Sequence, residues 1–317
     1  MRIETGFSGD QCLNQFVVNA VSLCRVLEQV LDRLVIGRHI KEGQQFGWRL
    51  RADSRLDGVR WAFVKRRQRR PVGFFGRKTL ATLDKYNIPV SKIYIFVADK
   101  DEEEIYRNTI EKGSYNKIIV GVKGLAEVRN FIADYFPKGK RIVFMDDDIK
   151  GFLEFDEAKP RHEKPLVSLE RVIQRGFSEC DKAGARLWGI YPSANGFFMK
   201  DTVSTDLKFV VGCFFGIINP GTGENGLVIP FGEKEDYYRT LRMYELDGTV
   251  VRLNFVAPKT AFYTEPGGMQ TDPLRRKKQE TAVKWLLKKY PDWVTLNPTR
   301  KSGFMEIRLR DKRPSEK

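Results

Sequence analysis

Hydrophobic and polar positions follow two rhythms along this chain. Phe16, Ala20, Cys24, Leu27, Leu31 and Leu34 recur at helical spacing, which predicts an amphipathic helix over 11–35 closed by Gly37. Between Phe46 and Val64 the pattern shortens to two strand-like runs around Asp57-Gly58, a hairpin turn pair. From Pro71 onward strands and helices alternate. Residues 72–75 read as a short strand, 76–79 as a polar loop and 80–86 as a helix. Residues 93–98 are a buried strand ending in Asp99, 101–110 a helix with an acidic start and 117–120 a third strand. Leu125, Val128, Ile132 and Tyr135 mark the next helix, and 142–145 is another buried strand. Such alternation predicts a doubly wound α/β sheet, with ligands gathering at the carboxyl ends of its strands.

The second half is less regular. Residues 157–165 read as a charged surface loop, and Ser168 caps a helix with Leu169, Val172, Ile173, Phe177 and Cys180 on its apolar side. Residues 188–191 and Phe197-Phe198 read as core strands, and 207–218 as a long apolar strand pair broken at Gly212 and Gly216. The glycine-rich stretch 219–226 lacks the strand-to-helix setting of a phosphate cradle and reads as a loop. Acidic residues then precede a helix with Tyr238, Leu241 and Tyr244. A strand over 249–257, a helix opening on Arg275 and containing Trp285, Leu286 and Tyr290, and an edge strand over 303–310 complete the chain.

The chemistry concentrates where the strand 142–145 runs into Asp146, Asp147 and Asp148. In an extended chain alternate side chains share a face, so Asp146 and Asp148 are expected to point one way and Asp147 the other. Two carboxylates side by side at a buried strand end call for a hard divalent cation, Mn2+ or Mg2+, bridging to phosphate oxygens. The competing reading is a solvated acidic turn.

Composition narrows the classes. The 317 residues, 41% hydrophobic and 12% aromatic, are ample for a packed core. Only His39 and His162 are histidines, which gives little support to chemistry built on a histidine pair. Cys12, Cys24, Cys180 and Cys213 are scattered without metal-type spacing, so reduced thiols and a cytoplasmic setting are expected. No apolar run has the length of a membrane span and no signal peptide is recognisable, so no membrane partner is expected. The net charge of +15 sits at the two ends: residues 1–70 carry 14 Lys/Arg against 7 Asp/Glu, and 271–317 carry 14 against 6. A basic surface of that kind favours a polyanion. Trp48, Arg51, Arg60 and Trp61, followed by Lys65, Arg66, Arg67, Arg69 and Arg70, suit a nucleic-acid contact that combines stacking with phosphate pairing. A solvated basic linker is the alternative.

The order of these features resembles a family. A strand, Gly76-Arg77-Lys78-Thr79, a helix, a strand ending Val97-Ala98-Asp99, another strand, a helix with Arg129-Asn130 and a strand ending in three aspartates is similar to the nucleotide-sugar half of a GT-A-fold glycosyltransferase. More closely, the chain resembles the TET-associated glycosyltransferases, typically phage-encoded, and their relative that glucosylates hydroxymethyluracil to make base J. The resemblance runs from about Pro71 to Tyr290. It implies that Arg77 and Asp99 contact the base and ribose of a UDP-sugar, that Arg129 lies near the nucleotide or diphosphate, and that Asp146 and Asp148 hold the metal and the ribose-diphosphate. It also implies that the Glu235-Asp236 pair lies beside the acceptor hydroxyl, with Asp236, or Glu235 next to it, as general base. Gly267-Gly268 would allow close backbone approach to the donor, and Arg275 would clamp the diphosphate or contact DNA. The third metal ligand common in this fold, often histidine, has no counterpart here, leaving Glu265 or water.

The expectation is therefore a GT-A-like doubly wound mixed sheet over 71–290, with a basic helix-and-hairpin extension over 1–70 and a basic tail with an edge strand over 291–317. The expected activity is metal-dependent transfer from a UDP-sugar to a hydroxymethylated pyrimidine in DNA, 5-hydroxymethylcytosine first, with the base flipped out to reach the donor. A transferase with another acceptor, a nucleotidyltransferase and a non-enzymatic nucleic-acid binder are the rivals.

Overall fold

The computed structural model describes residues 58–64, 75–260, 274–298 and 304–311. The chain divides into two compact units between Ala52 and Asp53, and all the described residues belong to the second. The helix expected over 11–35, Trp48, Arg51, the run from Lys65 through Arg66, Arg67, Arg69 and Arg70, and Glu265, Gly267 and Gly268 lie outside the described residues.

Four strands build the first half of the central sheet: β1 (Val59–Val64), β2 (Ile93–Val97), β3 (Lys117–Val120) and β4 (Arg141–Asp146). Helices α1 (Phe75–Lys85), α2 (Lys100–Thr109) and α3 (Leu125–Tyr135) alternate with them. The second half adds β5 (Ile149–Phe155), β6 (Glu163–Pro165), α4 (Leu169–Ala183), β7 (Leu187–Ile190), β8 (Val203–Ser204), β9 (Phe214–Ile218), α5 (Glu235–Asp247), β10 (Val251–Leu253) and β11 (Val256–Thr260). Helix α6 (Arg275–Lys289) and strands β12 (Val294–Leu296) and β13 (Ile307–Leu309) follow.

Among the described residues the main sheet runs β3-β2-β1-β4-β9-β7-β10-β8. Strands β1 to β4 are mutually parallel, while β9 is antiparallel to both β4 and β7. This is the expected doubly wound mixed α/β sheet, and its order reverses between β1 and β4, the place where such sheets open a ligand crevice. A smaller sheet, β11-β5-β6, carries the chain away from the end of β4. Because helices cover both faces, β4 is apolar on both: Val143 and Met145 enter one core cluster, Ile142 and Phe144 the other.

Several expectations are corrected. The run 59–64 is not half of a hairpin in a separate extension: it is β1, paired in parallel with β2 and β4 at the middle of the sheet. A domain boundary at residue 70 therefore cuts off a central strand. Asp57-Gly58 signals a turn, but Gly58 at φ 85° only leads into that strand. The stretch 76–79, expected as a loop, lies inside α1, because Thr79 and Thr82 gain buried partners there that outweigh the low helix propensity of Gly76. In the second half only Phe214–Ile218 of the expected strand pair is a strand, and Phe197 and Phe198 are 63% and 64% exposed on a short 3-10 turn rather than in the core. The Ser168-capped helix and the edge strand are where the pattern puts them, the latter pairing with β12.

Trp188 shows how tightly the sheet and α4 are fitted. Its fully buried ring lies over two glycines, and a Cβ on Gly216 or Gly176 comes within 2.1 or 2.3 Å of it. Gly216→Ala is therefore expected to overpack this layer and destabilise the fold by about 1–3 kcal/mol, read as a lower urea midpoint at unchanged slope.

Candidate active site

The carboxyl end of β4 lies at the switch point, where Val64 of β1 pairs with Asp146. The strand ends at Asp146, Asp147 and Asp148 form a turn, and Ile149 starts β5. Asp146 is 1% exposed and Asp147 6%, whereas Asp148 is half-buried. Asp147 lies on the side of Tyr106 of α2, whose phenol is pushed well up by burial and then by this carboxylate. Since the strand stops at Asp146, strict alternation does not carry through to Asp148.

The turn is braced from α1. Thr79 Oγ1 donates to the Asp146 carbonyl (2.9 Å) and accepts from the Ile149 amide (3.2 Å), and Thr82 Oγ1 donates to the Ile149 carbonyl (3.0 Å). Sequence pattern singles out neither threonine: Thr79 falls in the expected loop, and Thr82, within the expected helix, gives no sign of its distant partner. Thr79→Val keeps the shape but strands these buried polar groups. The expected cost is about 1–3 kcal/mol in denaturant unfolding, with faster amide exchange at Ile149.

The side chain of Asp146 meets Arg129 of α3, whose Nη2 lies 3.2 Å from Asp146 Oδ1, 2.9 Å from the Gly212 carbonyl oxygen and 3.9 Å from Glu235 Oε1. On its other oxygen Glu235 accepts from Arg239 Nη1, one helical turn on, at 2.5 Å. Arg239 Nη2 reaches the Val210 carbonyl (3.3 Å). Both guanidiniums lie on aromatic faces: Arg129 against Phe144 and Phe215 at 5.0 and 5.3 Å, Arg239 against Phe215 at 3.7 Å. Two cations and two carboxylates, all at most 5% exposed, form one buried chain from the acidic turn to the start of α5. Burial pushes the Glu235 carboxyl up, while Arg239 and then Arg129 pull it back. Burial likewise lowers Arg239, with Glu235 opposing.

Asp236 stands apart from this chain. It is half-buried, its Oδ1 accepts from the Tyr237 amide (3.0 Å), and its backbone carbonyl accepts from Thr240 Oγ1 (2.7 Å). Gly212 packs against both acidic residues: a Cβ there meets Glu235 Oε1 at 2.8 Å and Asp236 Cβ at 3.5 Å. Thus the structure brings Asp146, Arg129, Glu235 and Asp236 together. Sequence reading passed over Arg239, although its i, i+4 spacing from Glu235 is a helix-pair signal.

The other candidates are placed differently. Asp99 caps α2: its Oδ1 accepts from the Glu102 amide (2.9 Å) and its Oδ2 pairs with Lys123 at 2.9 Å. Arg275 opens α6, with Nε 3.4 Å from Glu233 Oε1 and its guanidinium over Phe304. The backbone of Arg77 is in α1 and that of Trp61 in β1. Arg60 lies near the amino end of β1, at the opposite end of the sheet from Asp146, where its charge and that of Lys92 add to burial in lowering Lys140.

Among the described residues no cluster of three or more His, Cys, Asp or Glu side chains is arranged to hold a metal, and no helix is long and apolar enough to cross a membrane. No protein-family model and no curated protein matches the chain. Among solved structures it is similar to residues 1–349 of TarS from S. aureus, at 14% identity and TM-score 0.41, over 62% of this chain and 60% of that one. It is also similar to a protein of Desulfovibrio desulfuricans G20 assigned as a nucleotide-diphospho-sugar transferase, at 14% identity and TM-score 0.36, over 73% and 97% of the two chains. A third is a mannose-1-phosphate geranyltransferase from Thermus thermophilus, at 15% identity and TM-score 0.29, over 63% and 57%. At such identities and scores the fold rests on the strand order itself: a doubly wound mixed α/β sheet whose switch point carries an acidic turn tied to the start of α5.

Proposed function

We propose that this protein is a nucleotide-sugar-dependent glycosyltransferase whose donor lies across the carboxyl ends of β1 and β4. The observation that carries this reading is the buried link from Asp146, at the switch point, through Arg129 to the Glu235-Asp236 helix start. It sets a carboxylate turn suited to a diphosphate-bound cation beside a more accessible carboxylate suited to an acceptor.

A divalent ion fits the donor chemistry of the turn. Mg2+ and Mn2+ take hard oxygen ligands and commonly use one or two carboxylates, with phosphates and water completing the shell. Half-buried Asp148 is the first candidate ligand, and Asp146, which Arg129 already contacts, the second. When bound, such an ion neutralises charge developing on the leaving diphosphate. In the reaction the anomeric carbon bonds to the acceptor oxygen as its bond to the diphosphate oxygen breaks, and the nucleoside diphosphate departs. Asp236 takes the proton of the acceptor hydroxyl. Glu235, 4% exposed and held by two guanidiniums, is a positioning residue rather than the base.

The acceptor in this proposal is a hydroxymethylated pyrimidine in DNA, 5-hydroxymethylcytosine first, and the donor a UDP-sugar. The surplus of positive charge at both ends of the chain supports a polyanionic acceptor, and the family resemblance supports the base and the donor. The test is release of UDP from a panel of UDP-sugars with Mn2+, on DNA containing 5-hydroxymethylcytosine and on the same DNA unmodified, with mass spectrometry of the digested nucleosides. Release that requires the hydroxymethyl group and stops with EDTA is expected. Release indifferent to DNA overturns the acceptor, and no release from any nucleotide-sugar overturns the transferase.

A further inference from the structure

We infer that Arg129 is a positioning residue that links the acidic turn to the start of α5, so that occupation of one changes the setting of the other; the donor and acceptor labels rest on the function proposed above. The family resemblance implies that Arg129 lies near the nucleotide or diphosphate. Its side chain is only 4% exposed and lies between the rings of Phe144 and Phe215 and the backbone of Gly212, so it has little surface to offer a ligand.

The geometry of one nitrogen carries the linkage. Nη2 has two hydrogens and three oxygens around it: Gly212 O at 2.9 Å, Asp146 Oδ1 at 3.2 Å and Glu235 Oε1 at 3.9 Å. Only the first two are within hydrogen-bond reach, so a movement of Nη2 toward Glu235 lengthens its contact with Asp146. A cation that draws charge from Asp146 weakens its hold on Arg129 and favours Glu235. Neutralising Glu235 does the opposite. The same carboxylate also binds Arg239, which reaches Val210, while Arg129 reaches Gly212. A shift of Arg129 toward Glu235 therefore moves the first turn of α5, with Asp236 in it, and the 210–212 segment against which Asp236 packs. The inference thus requires two arrangements of Arg129, one on Asp146 and one on Glu235, whose balance either end can bias.

Hydrogen exchange of the full chain, followed by mass spectrometry, reads both ends at once. Glu235→Gln keeps the shape of the side chain and removes its charge. It is expected to change exchange in the 146–150 peptide by about 2- to 30-fold, the range of a coupling of 0.5–2 kcal/mol, as well as at the start of α5. Arg129→Lys keeps the charge but loses the planar fork, so it is expected to abolish that transmission and to restrict the Glu235→Gln effect to α5. If Glu235→Gln changes α5 alone in the wild-type background, the inference is overturned. A second arm adds Mn2+ and UDP. Protection of the turn accompanied by a change at α5, with the α5 response absent in Arg129→Lys, supports the linkage. Protection of the turn with α5 unmoved in wild type overturns it while leaving the donor site standing. No response to Mn2+ and UDP, with the Glu235→Gln effect still transmitted, overturns the donor site and leaves the linkage standing.

Discussion

Asp236→Asn is expected to lower kcat by about 10²–10⁴-fold, the usual contribution of a general base, with donor KM essentially unchanged. The substitution is close to isosteric, and asparagine Oδ1 still accepts the Tyr237 amide that Asp236 accepts at 3.0 Å, so the α5 start keeps its geometry. What is lost is the group proposed to take the acceptor proton. Glu235→Gln provides the contrast. Glu235 is enclosed by Arg239 and Arg129, so its replacement disturbs position and gives a smaller loss of kcat. If Glu235→Gln is the inactive variant and Asp236→Asn the active one, the roles are reversed.

The largest stability effect is expected at Arg239. Arg239→Met leaves the Glu235 carboxylate buried with only the more distant Arg129, and breaking a buried pair from one side costs about 3–5 kcal/mol. Its pH dependence has a definite sign. Burial already raises the Glu235 pKa above its unfolded value, and loss of Arg239, the stronger of the two opposing charges, raises it further. A carboxyl raised on folding binds more protons in the native state, so the stability it contributes is present below the unfolded pKa and is lost as pH rises through the folded one. The deficit of Arg239→Met relative to wild type is therefore expected to shrink as pH falls toward the ordinary carboxylate range, which chemical unfolding at several pH values measures. Deficits equal at all pH values would mean that lost packing on Phe215, not the uncompensated carboxylate, sets the cost.

Much of this site was legible in the sequence because its chemistry sits at conspicuous places. Three aspartates after an apolar run mark a strand end, and acidic residues before an amphipathic run mark a helix start. What escaped was the part that depends on partners far apart in the chain. Residues 59–64 are too short and too mixed to be distinguished from a hairpin strand, and only pairing on both sides with β2 and β4 makes them central. Gly76 and Thr79 carry loop signals locally, yet the buried acidic turn gives the threonines a reason to be helical. The resemblance sets Asp99 against the base and ribose, and sequence pattern does not show that its oxygens also cap α2 and pair with Lys123. The resemblance places Arg129 near the nucleotide or diphosphate, but no one-dimensional pattern shows that Asp146, Gly212 and Glu235 surround the same nitrogen.

The acidic turn at the switch point is proposed to take a cation together with a nucleoside diphosphate. Calorimetric titration of UDP, with GDP and ADP alongside, into the wild-type protein and into Asp148→Asn, each with and without Mn2+, tests it most directly. Mn2+ is expected to strengthen binding of one of these diphosphates in the wild-type protein, and Asp148→Asn to remove the Mn2+ dependence without unfolding the protein. Binding of every nucleotide that is indifferent to Mn2+, or equal in wild type and Asp148→Asn, would contradict it.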